Sequence, residues 1–334
     1  MLPGSSPLIG LDVGSGLLKA VTLRTKGDKI SVHRAGILAM PAGAISGRRL
    51  LDPPAAGDAA RRLLRDLGLR GKRVAVAMAG DEVCHLRRKV ERLEVPKMEP
   101  RLRDELRQVA SFPVDDALLD FEVLDTFADR QWVDVLMVAA RRGAVERMQQ
   151  VVERAGKSAA IVDSTACALA NAFEANYQPA ANEVTALIHL GAVTLTVCIL
   201  RGATPLVVLD VTLDAATPWR DQEKPAERVV VELERVLEHM DEIADEHPLE
   251  PSSARIGRLL LSGGGIRIRG LEDRLRTRVR IPFEEFNPFR RIEFTGADAL
   301  SRLVSEQAHC MPVAVGLALR GLDSQQEAAR EAAA

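Results

Sequence analysis

An aspartate, a glycine-rich turn and a lysine follow one another in the segment GLDVGSGLLK, which begins at Gly10. Glycines bring backbone N–H groups close to phosphate oxygens, so Gly14-Ser15-Gly16 can cradle a phosphate. The Asp12 carboxylate can hold Mg²⁺, usually through its waters. Lys19 offers a charge to a phosphate. The pattern predicts a phosphate site with Asp12 as its metal ligand; the alternatives are a hairpin with a solvated Asp12 and a Lys19 that points from an edge strand.

A second glycine cluster, Gly263-Gly264-Gly265, follows the apolar run LLLS. Three glycines between a buried strand and a helix suit a flat ligand on bare backbone, or a phosphate at the helix start. The alternative is a flexible strand-to-helix turn. The segment is not a Walker A loop, because no Gly-Lys-Ser/Thr follows it.

A third motif, HLGAVT, runs from His189 to Thr194 and places Gly191 between two apolar runs. It mirrors the first motif, since both halves read as an apolar run, a glycine turn and a second apolar run. This repeat suggests duplication of one nucleotide-binding unit. By that symmetry an aspartate is expected where His189 stands.

The elements that must position these motifs form a β-β-β-α-β unit over the first 80 residues, with a loop over Met40–Gly57 and a helix over Ala59–Leu67. A middle block follows, in which Pro100 opens a helix that runs to about Ser111. In the last third, Ala226–Ala244 has one apolar stripe at helical period. A buried helix at about Pro312–Leu322 precedes a frayed polar tail.

Composition limits the function classes. The chain has 334 residues, a net charge of −2, 47% hydrophobic and 3% aromatic residues. A length beyond ~300 residues favours more than one domain, and the charge and the few aromatics argue against nucleic-acid binding. The uncharged stretch Val184–Leu200 contains polar residues and reads as two buried strands and a turn rather than a membrane span. The four scattered cysteines form no metal-binding pair.

Several segments together resemble one known family. GLDVGSGLLKAVTL resembles the first phosphate loop of the actin-like ATPase superfamily. SFPVDDALLDFEVLD, VDSTACALANAFE, VELERVLEHM, LLLSGGGIRIRGLEDRL, FNPFRRI and MPVAVGLALRGL follow in the order seen in the FtsA/PilM branch, and specifically in type IV pilus assembly proteins of the PilM family. The resemblance covers roughly Leu8 to Leu322.

The resemblance implies an α/β fold with two RNase H-like lobes around a nucleotide cleft, and a subdomain 1C in place of actin 1B. The implied segments are residues 7–82 and 163–182 for subdomain 1A, 83–162 for 1C, 183–211 and 258–308 for 2A, and 212–257 for 2B. Residues 309–323 supply the final 1A helix, and residues 324–334 the tail.

The resemblance also implies ATP and Mg²⁺ as ligands. Asp12 would face the metal, and the remaining implied nucleotide-binding residues are Gly14, Ser15, Gly16, Lys19, Gly191, Thr194, Glu232, Arg235, Gly263, Gly264 and Gly265. Glu232 and Arg235 match the positions that face ribose and adenine. His189 departs from the family, because it replaces the aspartate of the second phosphate loop. Imidazole is a poor Mg²⁺ partner, so we expect weak ATP hydrolysis or none.

The implied partner is the N-terminal cytoplasmic peptide of a PilN-like protein, docked between 1A and 1C with Cys84–Leu93 and Leu118–Leu124 as candidate walls. Other pilus platform and motor proteins and self-association are further expectations. The protein is then cytoplasmic and reaches the inner membrane through partners, without a span of its own. The alternatives are an FtsA-like membrane-associated filament protein, a GspL-like type II secretion component, and a sugar or acetate kinase of the same superfamily. The short 2B segment, the missing second aspartate and the absence of large apolar residues in Ser324–Ala334 disfavour the kinase and the FtsA-like protein.

Overall fold

The computed structural model describes residues 7–27, 29–46, 49–126, 131–213, 224–238, 255–294 and 306–331. Its strands are β1 (Ile9–Val13), β2 (Leu17–Lys26), β3 (Lys29–Ala39), β4 (Ile45–Ser46), β5 (Arg49–Leu50), β6 (Arg73–Met78), β7 (Val83–Glu91), β8 (Ala117–Thr126), β9 (Trp132–Arg141), β10 (Ser158–Ser164), β11 (Val184–Leu190), β12 (Thr194–Arg201), β13 (Thr204–Thr212), β14 (Arg258–Ser262), β15 (Phe283–Glu285) and β16 (Glu293–Phe294). Its α-helices are α1 (Pro53–Asp66), α2 (Val95–Leu106), α3 (Arg142–Arg154), α4 (Thr165–Tyr177), α5 (Lys224–Glu238), α6 (Leu271–Arg278) and α7 (Pro312–Glu331).

Two sheets repeat one topology. The first has the order β10-β6-β1-β2-β3-β16 and the second the order β15-β14-β11-β12-β13. In each, an antiparallel meander (β1–β2–β3 or β11–β12–β13) continues into parallel strands on the side of its first strand. The repeat suggested by the sequence is therefore present in the structure. The glycine turn between the first two strands of the meander lies at the same place in each sheet.

The helices lie in three layers around the two sheets. Helices α4 and α7 pack between the sheets in a cluster to which both contribute, including Val21 and Ala75 of the first and Leu187 and Leu260 of the second. Helices α1 and α3 cover the outer face of the first sheet, and α5 and α6 cover that of the second. Each sheet with its covering helices forms one lobe, and this shared core joins the two lobes.

Residues 83–141 build a small layer of their own. Strands β7, β9 and β8 form an antiparallel sheet in that order, and α2 packs on it through Leu102 and Leu106. A buried ion pair between Arg87 and Asp134, 2.6 Å apart, lies on this sheet. The rest of the segment expected to be subdomain 1C, namely α3 and most of β10, instead packs in the first lobe.

Three predicted helices have boundaries that were wrong. Helix α1 begins at Pro53, inside the predicted loop, because the Asp52 carboxylate caps the Ala55 N–H at 2.9 Å and proline suits the first helical position. Helix α2 begins at Val95 and continues through Pro100, which therefore does not open it, and it ends at Leu106 rather than near Ser111. Helix α7 extends to Glu331, beyond the predicted end near Leu322. Of the predicted helix Ala226–Ala244, residues 239–244 lie outside the described part.

Candidate functional site

Asp12 and Lys19 form a buried ion pair below the first glycine turn. The antiparallel register of β1 and β2 places them directly opposite each other, where side chains share one face of the sheet. Lys19 Nζ donates to Asp12 Oδ2 at 2.8 Å, and the side chains are 11% and 13% exposed. Asp12 is therefore buried and paired rather than solvated. Lys19 lies on an internal strand of the sheet rather than an edge.

The hairpin β11–β12 repeats this geometry. His189 stands opposite Thr196 in register, and these positions correspond to the ion pair of the first hairpin. The Gly191 N–H donates to the Thr194 carbonyl oxygen at 2.8 Å and closes the turn. His189 therefore occupies the position equivalent to Asp12, as the internal symmetry predicts.

His189 is a neutral imidazole in this position. Burial lowers its pKa to about 4, while the nearby Asp12 carboxylate raises the pKa and Lys19 lowers it by smaller amounts. Nδ1 of His189 lies 3.0 Å from Ser262 Oγ, whose hydroxyl donates to the Ile188 carbonyl oxygen at 3.3 Å. Because the hydroxyl hydrogen is used there, we assign the imidazole proton to Nδ1. The ring then presents to its other side a nitrogen without a proton.

The three glycines after β14 differ in their surroundings, because two are tightly packed and one is open. Gly263 has φ +89°, and a Cβ there would lie 2.2 Å from the Leu190 carbonyl oxygen. A Cβ on Gly265 would lie 2.4 Å from Leu190 Cγ. A Cβ on Gly264 would meet only Cys310 Sγ, at 3.9 Å. Packing against β11 thus accounts for two of these glycines, whereas Gly264 faces open space.

The three motifs surround a single cavity of about 490 Å³. The residues predicted from the sequence that line it are Asp12, Gly14, Ser15, Gly16, Lys19, Gly191, Thr194, Gly263, Gly264 and Gly265, together with His189. Asp12 and Gly264 thus line the same cavity. The two glycine turns approach closely, because a Cβ on Gly16 would lie 3.5 Å from that of Ala192.

Glu232 and Arg235 are not among the residues that line this cavity. They lie on α5 and pair with each other, with Arg235 Nη1 and Glu232 Oε2 3.7 Å apart. The Arg235 side chain is 73% exposed. Their contact with a nucleoside stays a prediction.

The cavity also contains charged residues that the sequence analysis missed. Arg267 and Arg269 line it directly after the glycines, and Arg267 pairs with Glu285 at 2.7 Å. Glu82 is only 7% exposed, lines the cavity from the opposite lobe and bonds to Arg147. The alternating sequence Ile-Arg-Ile-Arg after the glycines could have predicted that the two arginines lie at the cavity. No local sequence pattern predicts that Glu82 lies there.

These residues do not fit a magnesium site. Mg²⁺ requires oxygen ligands in octahedral geometry. Asp12 is ion-paired with Lys19, Glu82 is bonded to Arg147, and His189 offers nitrogen where a second carboxylate is expected. Across the part of the chain with described coordinates, no group of three or more His, Cys, Asp or Glu residues could hold a metal ion. The predicted role of Asp12 as a metal ligand is therefore not supported by its surroundings.

A hydrogen-bonded bridge crosses the cleft beside the cavity. Asp210 of β13 accepts the Gly80 N–H of the first lobe at 3.0 Å and the hydroxyl of Thr196. The His85 imidazole of β7 is buried beside it, where burial lowers the His85 pKa and the Asp210 charge partly offsets this. Because Gly80 lies between the cavity residues Ala79 and Glu82, the bridge links the cavity wall, the second lobe and β7.

The segments predicted to wall a peptide groove lie on opposite edges of the three-stranded sheet. β7, which carries Cys84–Leu93 for the most part, contacts β13 of the second lobe. β8, which carries Leu118–Leu124, forms the other edge. Leu118 and Val123 on β8 are 39% and 44% exposed. Of the two segments, β8 is therefore the more accessible to an extended peptide.

None of the helices in the described ranges is long and apolar enough to cross a lipid bilayer.

Two solved structures show the fold. A PilM–PilN type IV pilus biogenesis complex matches with a TM-score of 0.81 at 24% identity, over 95% of this chain and 99% of that chain. MreB 5 of Spiroplasma citri bound to AMPPNP, an actin-like protein, matches with a TM-score of 0.52 at 11% identity, over 98% of this chain and 100% of that chain. The predicted actin-like fold with two lobes is confirmed.

A family model gives the relationship at the level of sequence. The model described as "Type IV pilus assembly protein PilM" matches residues 10–207, more than half of the chain. The match includes the first two glycine hairpins and the whole inserted block. The chain belongs to the PilM family of type IV pilus assembly proteins.

Proposed function

We propose that this chain is a cytoplasmic nucleotide-binding scaffold of the inner-membrane platform that assembles type IV pili. It binds the cytoplasmic N-terminal tail of a PilN-like membrane protein and hydrolyses ATP weakly or not at all. The observation that carries the proposal is the cavity between the two glycine hairpins, in a chain of the PilM family.

The cavity supports nucleotide binding by its size and by the backbone around it. Its volume of about 490 Å³ falls in the range of ~300–1,000 Å³ that is typical of small-molecule sites. Gly14–Gly16 and Gly191 present bare backbone from facing lobes, and Lys19 lies below them. The AMPPNP bound to MreB 5, a protein of the same fold, is consistent with this proposal.

Weak or absent hydrolysis follows from the state of the carboxylates. A general base must be within reach of the attacking water and free to accept its proton. Asp12 and Glu82, which line the cavity, each bond to a cationic side chain. His189 replaces the other expected acid. The site can therefore hold a nucleotide without a carboxylate that is free to activate water.

The exposed edge of β8 supports binding of an extended peptide. An added strand bonds to free backbone N–H and C=O groups, and alternate side chains enter pockets. Leu118 and Val123 supply exposed apolar contacts there. The related PilM structure is a complex with PilN, which makes the tail of a PilN-like protein the natural candidate.

Calorimetry with the full chain tests this proposal. The titrants are ATP and a synthetic peptide of the N-terminal tail of the PilN-like protein from the same genome. Val123→Asp should weaken tail binding about tenfold or more, because it places a charge in the apolar contact. The matched control is Val231→Asp on α5, at a similar exposure of 43%. Both variants should keep the wild-type affinity for ATP.

Unchanged tail binding in Val123→Asp would place the groove elsewhere. Joint loss of tail and ATP binding would indicate misfolding rather than a groove defect. We place the chain at the inner membrane through this partner. Contacts with other platform and motor proteins, and self-association, stay predictions that co-sedimentation tests directly.

A further inference from the structure

We propose that Lys19 serves as the built-in cation of the phosphate site, and that His189 makes nucleotide binding independent of a divalent metal. The inference rests on the proposed nucleotide-binding function and names the form of the ligand, a nucleotide without bound metal. His189 is then the residue that determines this specificity.

The first support is the position of the Lys19 ammonium. It lies 2.8 Å from Asp12 Oδ2, on a pair that is almost fully buried. Charges interact more strongly in such a low-dielectric setting than in water. A divalent ion beside Asp12 would have to displace this ammonium or lie against it, and like charges repel. The carboxylate already has its counter-charge from the opposite strand.

The second support is the chemistry of the facing hairpin. His189 is equivalent to Asp12 by register, but its side chain carries no oxygen. Its Nδ1 bonds to Ser262 Oγ, which fixes the ring. Thr196, the counterpart of Lys19, bonds through its hydroxyl to Asp210. Neither position on this hairpin offers a free anionic oxygen to Mg²⁺.

The third support is the charge balance of the cavity wall. Its described carboxylates, Asp12 and Glu82, are each bonded to a cationic side chain. The cationic residues that line it are Lys19, which pairs with Asp12, Arg267, which pairs with Glu285, and Arg269. A polyphosphate therefore meets positive charge from the protein itself. Mg²⁺ gains little here, because it would bring charge to a wall that is already supplied with cations.

The decisive measurement compares nucleotide affinity in saturating Mg²⁺ and in a chelator. We expect the wild-type dissociation constants for ADP and for ATP to agree within about twofold between the two conditions. His189→Asp restores an anionic oxygen and should bind about tenfold more tightly with Mg²⁺ than with chelator. His189→Asn introduces a side chain of the same shape as aspartate but without its charge. It should keep the wild-type ratio between the dissociation constants measured with Mg²⁺ and with chelator.

Lys19→Met removes the charge of Lys19 while keeping most of its length. It should lose affinity in chelator by about tenfold or more, and Mg²⁺ should recover part of the loss because Asp12 is then free to meet it. Thermal melting of each variant without ligand checks that it is folded, and the wild-type comparison is decisive even if a variant fails this check.

Wild-type binding that is tenfold tighter with Mg²⁺ would overturn the inference and leave the proposed nucleotide site intact. Equal Mg²⁺ dependence in His189→Asp and His189→Asn would overturn the role given to His189. Absence of nucleotide binding in both conditions would overturn the inference together with the nucleotide part of the proposed function. Tail binding, measured separately, would still test the rest of that function.

Discussion

Gly263 and Gly264 are neighbours in the chain, yet their surroundings differ. Gly263 has φ +89° and abuts the Leu190 carbonyl oxygen, whereas Gly264 has open space. We expect Gly263→Ala to lower the free energy of unfolding by about 1–3 kcal/mol or more, and Gly264→Ala to change it by less than ~0.5 kcal/mol. Urea unfolding of both variants measures the difference, and equal losses would contradict this account of the turn.

Gly264→Ala also probes the ligand. A methyl group at this open position enters the cavity without disturbing the fold, so it should weaken nucleotide binding at unchanged stability. Calorimetry with ADP checks this. Wild-type affinity in this variant would mean that the bound nucleotide does not lie over the glycine cluster.

The buried imidazole of His189 predicts acid sensitivity. Its pKa falls from 6.5 to about 4 on folding, so between these pH values the unfolded chain binds more protons than the folded one. Stability therefore falls as the pH drops through this range. Between about pH 7 and pH 5 the wild type should lose about 2 kcal/mol more than His189→Asn. Urea titrations at both pH values test this, and parallel losses would show that His189 does not titrate in this way.

How far the sequence predicts the site depends on how local each contact is. Asp12 and Lys19 share one hairpin, so their spacing was enough to bring them together. Gly263 and Gly264 follow a buried strand directly, and the cavity forms at that strand's end. By contrast, Glu82 reaches the cavity only through the packing of two lobes, which no local pattern encodes.

Among the elements, α7 is the central support of the core. It passes between the sheets, and a Cβ on its Gly316 would lie 1.7 Å from the Ala168 carbonyl oxygen of α4. Gly316→Ala must push these helices apart and should cost about 1–3 kcal/mol or more. The control is Gly143→Ala in α3, where the nearest atom is the flexible end of Arg147 at 3.7 Å. Urea unfolding should rank the two variants clearly, and a neutral Gly316→Ala would contradict the close packing.

Local signals predicted the strands of this chain better than the ends of its helices. Apolar runs around glycine turns marked β1, β2, β11 and β12, because a hairpin needs only neighbouring residues. Pro100 was misleading, because a proline interrupts one hydrogen bond but packing of α2 through Leu102 and Leu106 compensates. Tertiary burial thus outweighed a local preference.

At the scale of the whole molecule, the Asp210 bridge connects the cavity between the two glycine hairpins to β7 of the three-stranded sheet. Asp210 holds the Gly80 N–H across the cleft, and β7 begins three residues after Gly80 with His85 packed beside the same carboxylate. A nucleotide that draws the lobes together would therefore move the first residues of β7. Ligands at two such sites change each other's affinity by one and the same factor.

This bridge predicts how nucleotide and tail peptide communicate. Wild-type protein should bind the tail peptide with an affinity that changes by about fivefold or more when ADP is saturating. Asp210→Ala removes the acceptor for Gly80 and should reduce that change to less than about twofold, while the protein still binds each ligand alone. Asp210→Asn keeps an oxygen that accepts the Gly80 N–H, so it should retain the coupling. Calorimetric titration of the tail peptide with and without ADP measures all three proteins. Undiminished coupling in Asp210→Ala would show that the lobes communicate through other contacts instead, such as the shared core around α4 and α7.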